Sequence, residues 1–111
     1  MQQISIEDFQ KIELRIGRII EVEDLPKAKK PIYKIVVDFG DFGKKVCCAG
    51  IKDSYSKKDL LNKLVVAVVN LKPKKIAGVT SEAMLLAAVD DSGKAVLLVP
   101  DKEVKLGCRI F

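Results

Sequence analysis

Apolar and polar positions alternate from Leu14 to Glu23. Leu14, Ile16, Ile20 and Val22, with Arg18 among them, fall on one parity; Arg15, Gly17, Ile19, Glu21 and Glu23 fall on the other. A period of two sends successive side chains to opposite faces of a strand, so this run predicts a long β-strand. Gly17 inside it predicts a bend or bulge. Ahead of it, Ser5-Ile6-Glu7-Asp8 places a carboxylate three residues after a hydroxyl. That is a helix-start pattern, and it predicts a short helix with Ile6, Phe9 and Ile12 on one side.

The next apolar stretches are short and bounded by turn residues. Tyr33–Phe39 and Lys44–Ala49 predict a second and a third strand, joined by a hairpin connection at Gly40-Asp41-Phe42-Gly43. Leu25–Ile32, with two prolines and three lysines, predicts a loop. Ser56-Lys57-Lys58-Asp59 repeats the helix-start pattern and predicts a second short helix. Leu64–Asn70 and Met84–Val89 predict a fourth and a fifth strand, separated by a loop. Asp90-Asp91-Ser92-Gly93 predicts a turn, Ala95–Val99 a sixth strand and Gly107–Phe111 a last extended segment.

Three strands, a short helix and two more strands is the order of an oligonucleotide/oligosaccharide-binding (OB) barrel. The predicted class is therefore all-β with short helices: a five-stranded Greek-key barrel with extra C-terminal strand segments. In that fold the groove lies near strands two and three and the loops after strands one and four. Here those loops read LPKAKKPI and LKPKKIAGVTSE, the two richest in lysine.

Composition sharpens the picture. At 111 residues, 49% of them apolar, the chain is expected to form one domain, 1–111, with a real core. No stretch approaches the ~18–20 apolar residues of a membrane span, so no membrane partner is expected. The first ten residues lack a basic and an apolar signal region, which predicts a cytoplasmic location. Cys47, Cys48 and Cys108 are odd in number, and the neighbouring pair would point to opposite faces of a strand. They suit a reducing compartment. With no histidine and no CxxC, no metal site or cofactor is expected. The missing histidine also removes the usual general base, so binding is expected rather than catalysis.

The formal charge is +5, but residues 26–80 carry 13 basic and four acidic groups, and residues 61–80 carry no acid. Such a patch attracts polyanions; on charge alone a solvated lysine surface is an equal alternative, and the placement of the two lysine-rich loops in the barrel favours nucleic acid. Only six aromatics are present, too few to stack a run of bases in series. Tyr33 and Tyr55 read as core packing or as single stacking platforms.

The segments DFQKIELRIGRIIEVEDLP (8–26), VVDFG (36–40), GIKDSYSKKDLLNKLVVAVVNLKPKKIAG (50–78) and SEAMLLAA (81–88) together resemble the tRNA-binding domain family. Its members include the C-terminal or separate domain of methionyl-tRNA synthetase, the endothelial-monocyte-activating cytokine domain and small free-standing tRNA-binding proteins. The resemblance implies an OB barrel, a homodimer, and recognition of the folded shape of tRNA, with an aminoacyl-tRNA synthetase as a further partner. The family motif NL-x-P-x-K, followed by S-x-x-M, falls on Asn70, Leu71, Pro73, Lys75, Ser81 and Met84.

By that resemblance, Lys72, Lys74 and Lys75 would contact phosphate. Ser81 would donate to a phosphate or 2′-hydroxyl, or only cap a turn. Met84 would lie against a base or ribose, or fill the core. Lys29 and Lys30 would serve any polyanion, and Glu82 would orient a neighbour rather than touch RNA. Ala28-Lys29-Lys30-Pro31, VVDFG and KIAG are also similar to a second branch of the family, a small dimeric chaperone linked to bacterial protein export. That branch implies unfolded or precursor polypeptide as the alternative ligand.

Overall fold

The computed structural model describes residues 1–111 and turns each predicted apolar run, at least in part, into strand. In chain order the elements are α1 (Ile6–Gln10), β1 (Leu14–Asp24), β2 (Tyr33–Asp38), a 3-10 turn at Gly40–Phe42, β3 (Lys44–Ala49), α2 (Lys57–Leu60), β4 (Leu64–Val68), β5 (Lys74–Ile76), β6 (Val79–Ser81), β7 (Met84–Leu85), β8 (Ala87–Val89), β9 (Ala95–Leu97) and β10 (Arg109–Ile110). Both helix starts behave as their residues dictate. Ser5 Oγ accepts from the Asp8 N–H, and Ser56 and Asp59 form a reciprocal capping box. The apolar side expected of α1 is not covered, for Ile6 and Ile12 are exposed.

The main sheet runs β3-β2-β1-β4-β7, every pair antiparallel, with β10 added to the start of β1. It curls until β3 meets the chain around Ser81 and Glu82. The Glu82 N–H donates to Val46 O (2.7 Å), the Val46 N–H to Glu82 Oε1 (3.1 Å) and the Cys48 N–H to Ser81 Oγ (3.0 Å). The barrel is thus nearly closed, with α2 between its third and fourth strands, as an OB-like fold requires. Ile19, Ile35, Val37, Phe39, Cys47, Leu60, Val65 and Ala67 fill its interior with no measurable exposure.

Three expectations need correction. The bulge lies between Ile19 and Glu21, not at Gly17. Before it, Gly17 and Ile19 face the core; after it, the parity flips and Val22 packs against the core. The run 84–89 is not one strand: it breaks at Leu86, where the chain leaves β4 and pairs with β9 instead. The segment after β4 is not all loop, because β5 and β6 form a hairpin inside it.

The C-terminal segment seals the barrel's other side. The Ile16 N–H donates to Cys108 O (3.1 Å) and the Gly107 N–H to Ile16 O (2.8 Å). Gly107 has φ +85°, and a Cβ there would stand 2.3 Å from the Phe39 carbonyl oxygen, so only glycine fits.

Asp24, at the end of β1, accepts from Lys52 Nζ (2.7 Å) and Lys57 Nζ (2.8 Å). The Lys52 bond first and the Lys57 bond second pull its carboxyl from 3.8 down to about 2. A carboxylate whose pKa is depressed by folding stabilises the fold above its unfolded pKa and loses that contribution as pH falls through the folded value. Melting temperatures of native protein and Asp24→Asn are therefore expected to differ above pH 3.8 and to converge as pH falls towards 2. A constant difference across that window would contradict the assignment.

Candidate nucleic-acid interface

The hairpin β5–β6 is the centre of the site. Its two-residue turn, Ala77-Gly78, has both residues at positive φ (50° and 85°), the geometry that matches the twist of a tight hairpin. Lys74 pairs with Ser81 and Lys75 with Thr80. Alternation then sends Lys74 and Ser81 to one face and Lys75 and Thr80 to the other.

The first face overlooks a cavity of ≈ 410 Å³ between the hairpin, β3 and the start of β7. Leu71, Ile76, Ala83 and Met84 supply its apolar lining; Lys72, Lys74, Ser81, Glu82 and the outward-facing Cys48 supply the polar groups. A second hollow, ≈ 360 Å³, lies where Lys27, Lys29 and Lys30 approach the hairpin tip at Ile76 and Ala77. Ile76 lines both. The structure therefore brings Lys72, Lys74, Ser81 and Met84 together, sets Lys29 and Lys30 next to them, and turns Lys75 to the hairpin's opposite face.

Two of the expected residues also carry the fold. Asn70 accepts from the Glu13 N–H through Oδ1 (2.8 Å) and donates from Nδ2 to Lys11 O (2.7 Å), tying the α1–β1 link to the end of β4. Ser81 accepts at the barrel seam and donates to Ala83 O (3.4 Å). Met84 is half exposed and free to meet a ligand. Both tyrosines are held inside: Tyr33 donates its hydroxyl to Tyr55 O, and the Tyr55 hydroxyl accepts from the Leu97 N–H. Arg15 is held by Glu13, Gly107 O and the Phe42 ring, and Arg18 by Asn62 O and Glu103.

Cys48 and Lys27 join the site without having been singled out for it, and Glu82, expected to orient a neighbour, accepts from the Val46 N–H in the cavity wall. The parity of Cys47 and Cys48 does mark one as core and one as surface. Burial pushes the Cys47 thiol up to about 12, while Cys48 lies half-buried in the cavity wall with its thiol also raised, chiefly by burial. All three cysteines are free, and no cluster of three or more His, Cys, Asp or Glu side chains is present.

Lys27, Lys29, Lys30, Lys72, Lys74 and Lys75 are exposed and form no ion pair, as is also true of Lys44, Lys58, Lys94 and Lys102 elsewhere; what distinguishes the first group is its clustering on two neighbouring segments. Lys27, Lys29, Lys30, Lys72 and Lys74 thus border the two adjoining hollows as five unneutralised cations, with Lys75 on the hairpin's other face, and charge of this density attracts polyanions.

The profile of the tRNA binding domain family matches residues 14–109. The chain belongs to this family. It is 53% identical over 111 residues to the methionine–tRNA ligase of Pyrococcus furiosus, covering 99% of this chain and 15% of that enzyme. The chain thus spans about a seventh of the ligases it matches. Among solved structures it is similar to the CsaA chaperone protein of Picrophilus torridus (TM-score 0.91, 43% identity, 98% of this chain and 100% of that one). It is also similar to a MetRS-related protein of Pyrococcus horikoshii (TM-score 0.90, 34% identity, 100% of both chains). Family membership makes this a tRNA-binding domain related to methionine–tRNA ligases, on a scaffold shared with chaperone-named proteins.

Proposed function

We propose that this chain binds folded tRNA without catalysis, through the groove around β5–β6, and acts beside an aminoacyl-tRNA synthetase in the cytoplasm. The five unpaired lysines bordering that groove, Lys27, Lys29, Lys30, Lys72 and Lys74, carry the proposal. Cations set around an apolar floor can follow a phosphate backbone while the floor meets ribose or base. The three free thiols suit a reducing compartment.

The working unit in this proposal is a homodimer. Val89, Val96, Leu98, Val99, Val104 and Phe111 are exposed, with Ile4 and Ile6 adding apolar surface at the other end of the chain. A second copy is the economical cover, and a twofold pair would offer two grooves to one polyanion.

The second reading, a holder of unfolded polypeptide, is favoured by one observation: Leu71, Ile76, Ala83 and Met84 form an apolar lining able to take side chains. Salt separates the two. Equilibrium binding of folded tRNA is expected to weaken with a log–log slope of roughly −0.9 per phosphate contact. Apolar peptide binding should hold or strengthen as salt rises. Weak tRNA binding beside salt-tolerant binding of unfolded polypeptide would overturn the first reading in favour of the second.

A further inference from the structure

The groove is basic, yet its cavity contains one carboxylate, Glu82. Its placement is fixed twice over. The Glu82 N–H donates to Val46 O (2.7 Å), and Glu82 Oε1 accepts from the Val46 N–H (3.1 Å). Oε2 has no hydrogen-bond partner, and neither oxygen has a cation within ion-pair distance. No buried polar atom is left unsatisfied, so Oε2 is open to a ligand. For phosphate alone a carboxylate here is unfavourable by simple repulsion. It becomes useful when the ligand also carries N–H donors.

We propose that this cavity takes one unstacked guanine of an RNA. Its ring rests on Ala83 and Met84, its phosphate is held by Lys72 and Lys74, and its adjacent N1–H and N2–H donate to the Glu82 carboxylate. The cavity, ≈ 410 Å³, lies in the size class of small-molecule sites. Among the four bases only guanine presents two neighbouring donors on its Watson–Crick edge, the edge proteins read on splayed-out bases. Uracil's single N3–H is flanked by two carbonyls that a carboxylate repels. Adenine and cytosine place a ring-nitrogen acceptor beside the amino group.

This inference rests on the reading of the groove as an RNA site, so both are measured together. Folded tRNA binding is followed by anisotropy at low salt. The 5′-monophosphates of guanosine, adenosine, cytidine and uridine are titrated by NMR against the Cys48, Ala83 and Met84 resonances. Guanosine monophosphate is expected to bind on the order of ten-fold more tightly than uridine monophosphate. Glu82→Gln keeps an acceptor for Val46 but puts an amide donor in place of Oε2. It is expected to abolish that preference while leaving the melting temperature near native. Equal affinities in the native protein, a preference that survives Glu82→Gln, or no shift at these resonances would overturn the guanine site while tRNA binding stands. Failure of folded tRNA to bind would remove the RNA reading, and this inference with it.

Discussion

Replacing Gly17 by alanine is expected to lower the free energy of unfolding by about 3 kcal/mol, the upper part of the usual overpacking range. A Cβ at this position would stand 2.4 Å from Val37 Cγ1 and 2.7 and 2.8 Å from two carbons of the Phe39 ring. Neither neighbour has room to yield. Val37 and Phe39 are wholly buried; Val37 is stiff at χ1 and lies in β2, paired with β1 and β3, while Phe39 follows directly after that strand and its N–H donates to Gly43 O (2.9 Å). Gly17 is itself held between Ile16 and Arg18 in register with Val65 of β4, so β1 cannot drift outward without breaking that ladder. A loss of this size corresponds to a fall in melting temperature of roughly 10 °C for a domain of this length. Gly50→Ala is the control: its Cβ would meet nothing within 4 Å, and its φ lies outside the left-handed range. Chemical denaturation of both variants decides the matter. A Gly17→Ala protein within about 0.5 kcal/mol of native, the usual surface scatter, would remove steric closeness as the reason for this glycine.

Gly17 also shows where the sequence stops being readable. An interior glycine signals either a backbone irregularity or a close approach, and the two look identical in one dimension. Here it is the second, and the bulge lies three residues later, around Ile20, in the pairing of β1 with β2. The run from Met84 to Val89 misleads for a related reason. Apolar continuity reports burial, not partner, and this segment changes partner at Leu86 while staying apolar. By contrast both helix starts were legible, since a serine and a carboxylate three residues on settle the cap locally.

The site divides along the same line. The lysines were legible because charge density needs no partner to be read. The β5–β6 hairpin was not, because three-residue strands following a proline, closed by Ala77-Gly78, give too little alternation. The uses of Asn70 and Ser81 in holding Glu13 and Cys48 depend on residues 57 and 33 positions away. No local pattern encodes those distances. Cys48 and Glu82 enter the cavity through that same seam.

The Lys72→Ala/Lys74→Ala protein is expected to bind folded tRNA roughly 50-fold more weakly at ~0.1 M salt, with a log–log salt slope shallower by about 2. The estimate follows from counterion release: each lysine placed on a phosphate frees close to one condensed cation, worth nearly one power of ten at that salt. Both side chains line the cavity, and neither has an internal anion to release when it is removed. The loss should therefore come from RNA alone, with the melting temperature unchanged. Lys75 tests the geometry, since it is equally exposed and equally charged but lies on the other face of β5 beside Thr80. Lys75→Ala is expected to cost only the long-range share of its charge, a few-fold at most, and that share should vanish first as salt shortens the Debye length. If Lys75→Ala costs as much as either cavity lysine, the RNA grips both faces of the hairpin and β5–β6 enters a groove of the RNA. If the double variant binds as the native protein does, the phosphate path lies elsewhere on the barrel.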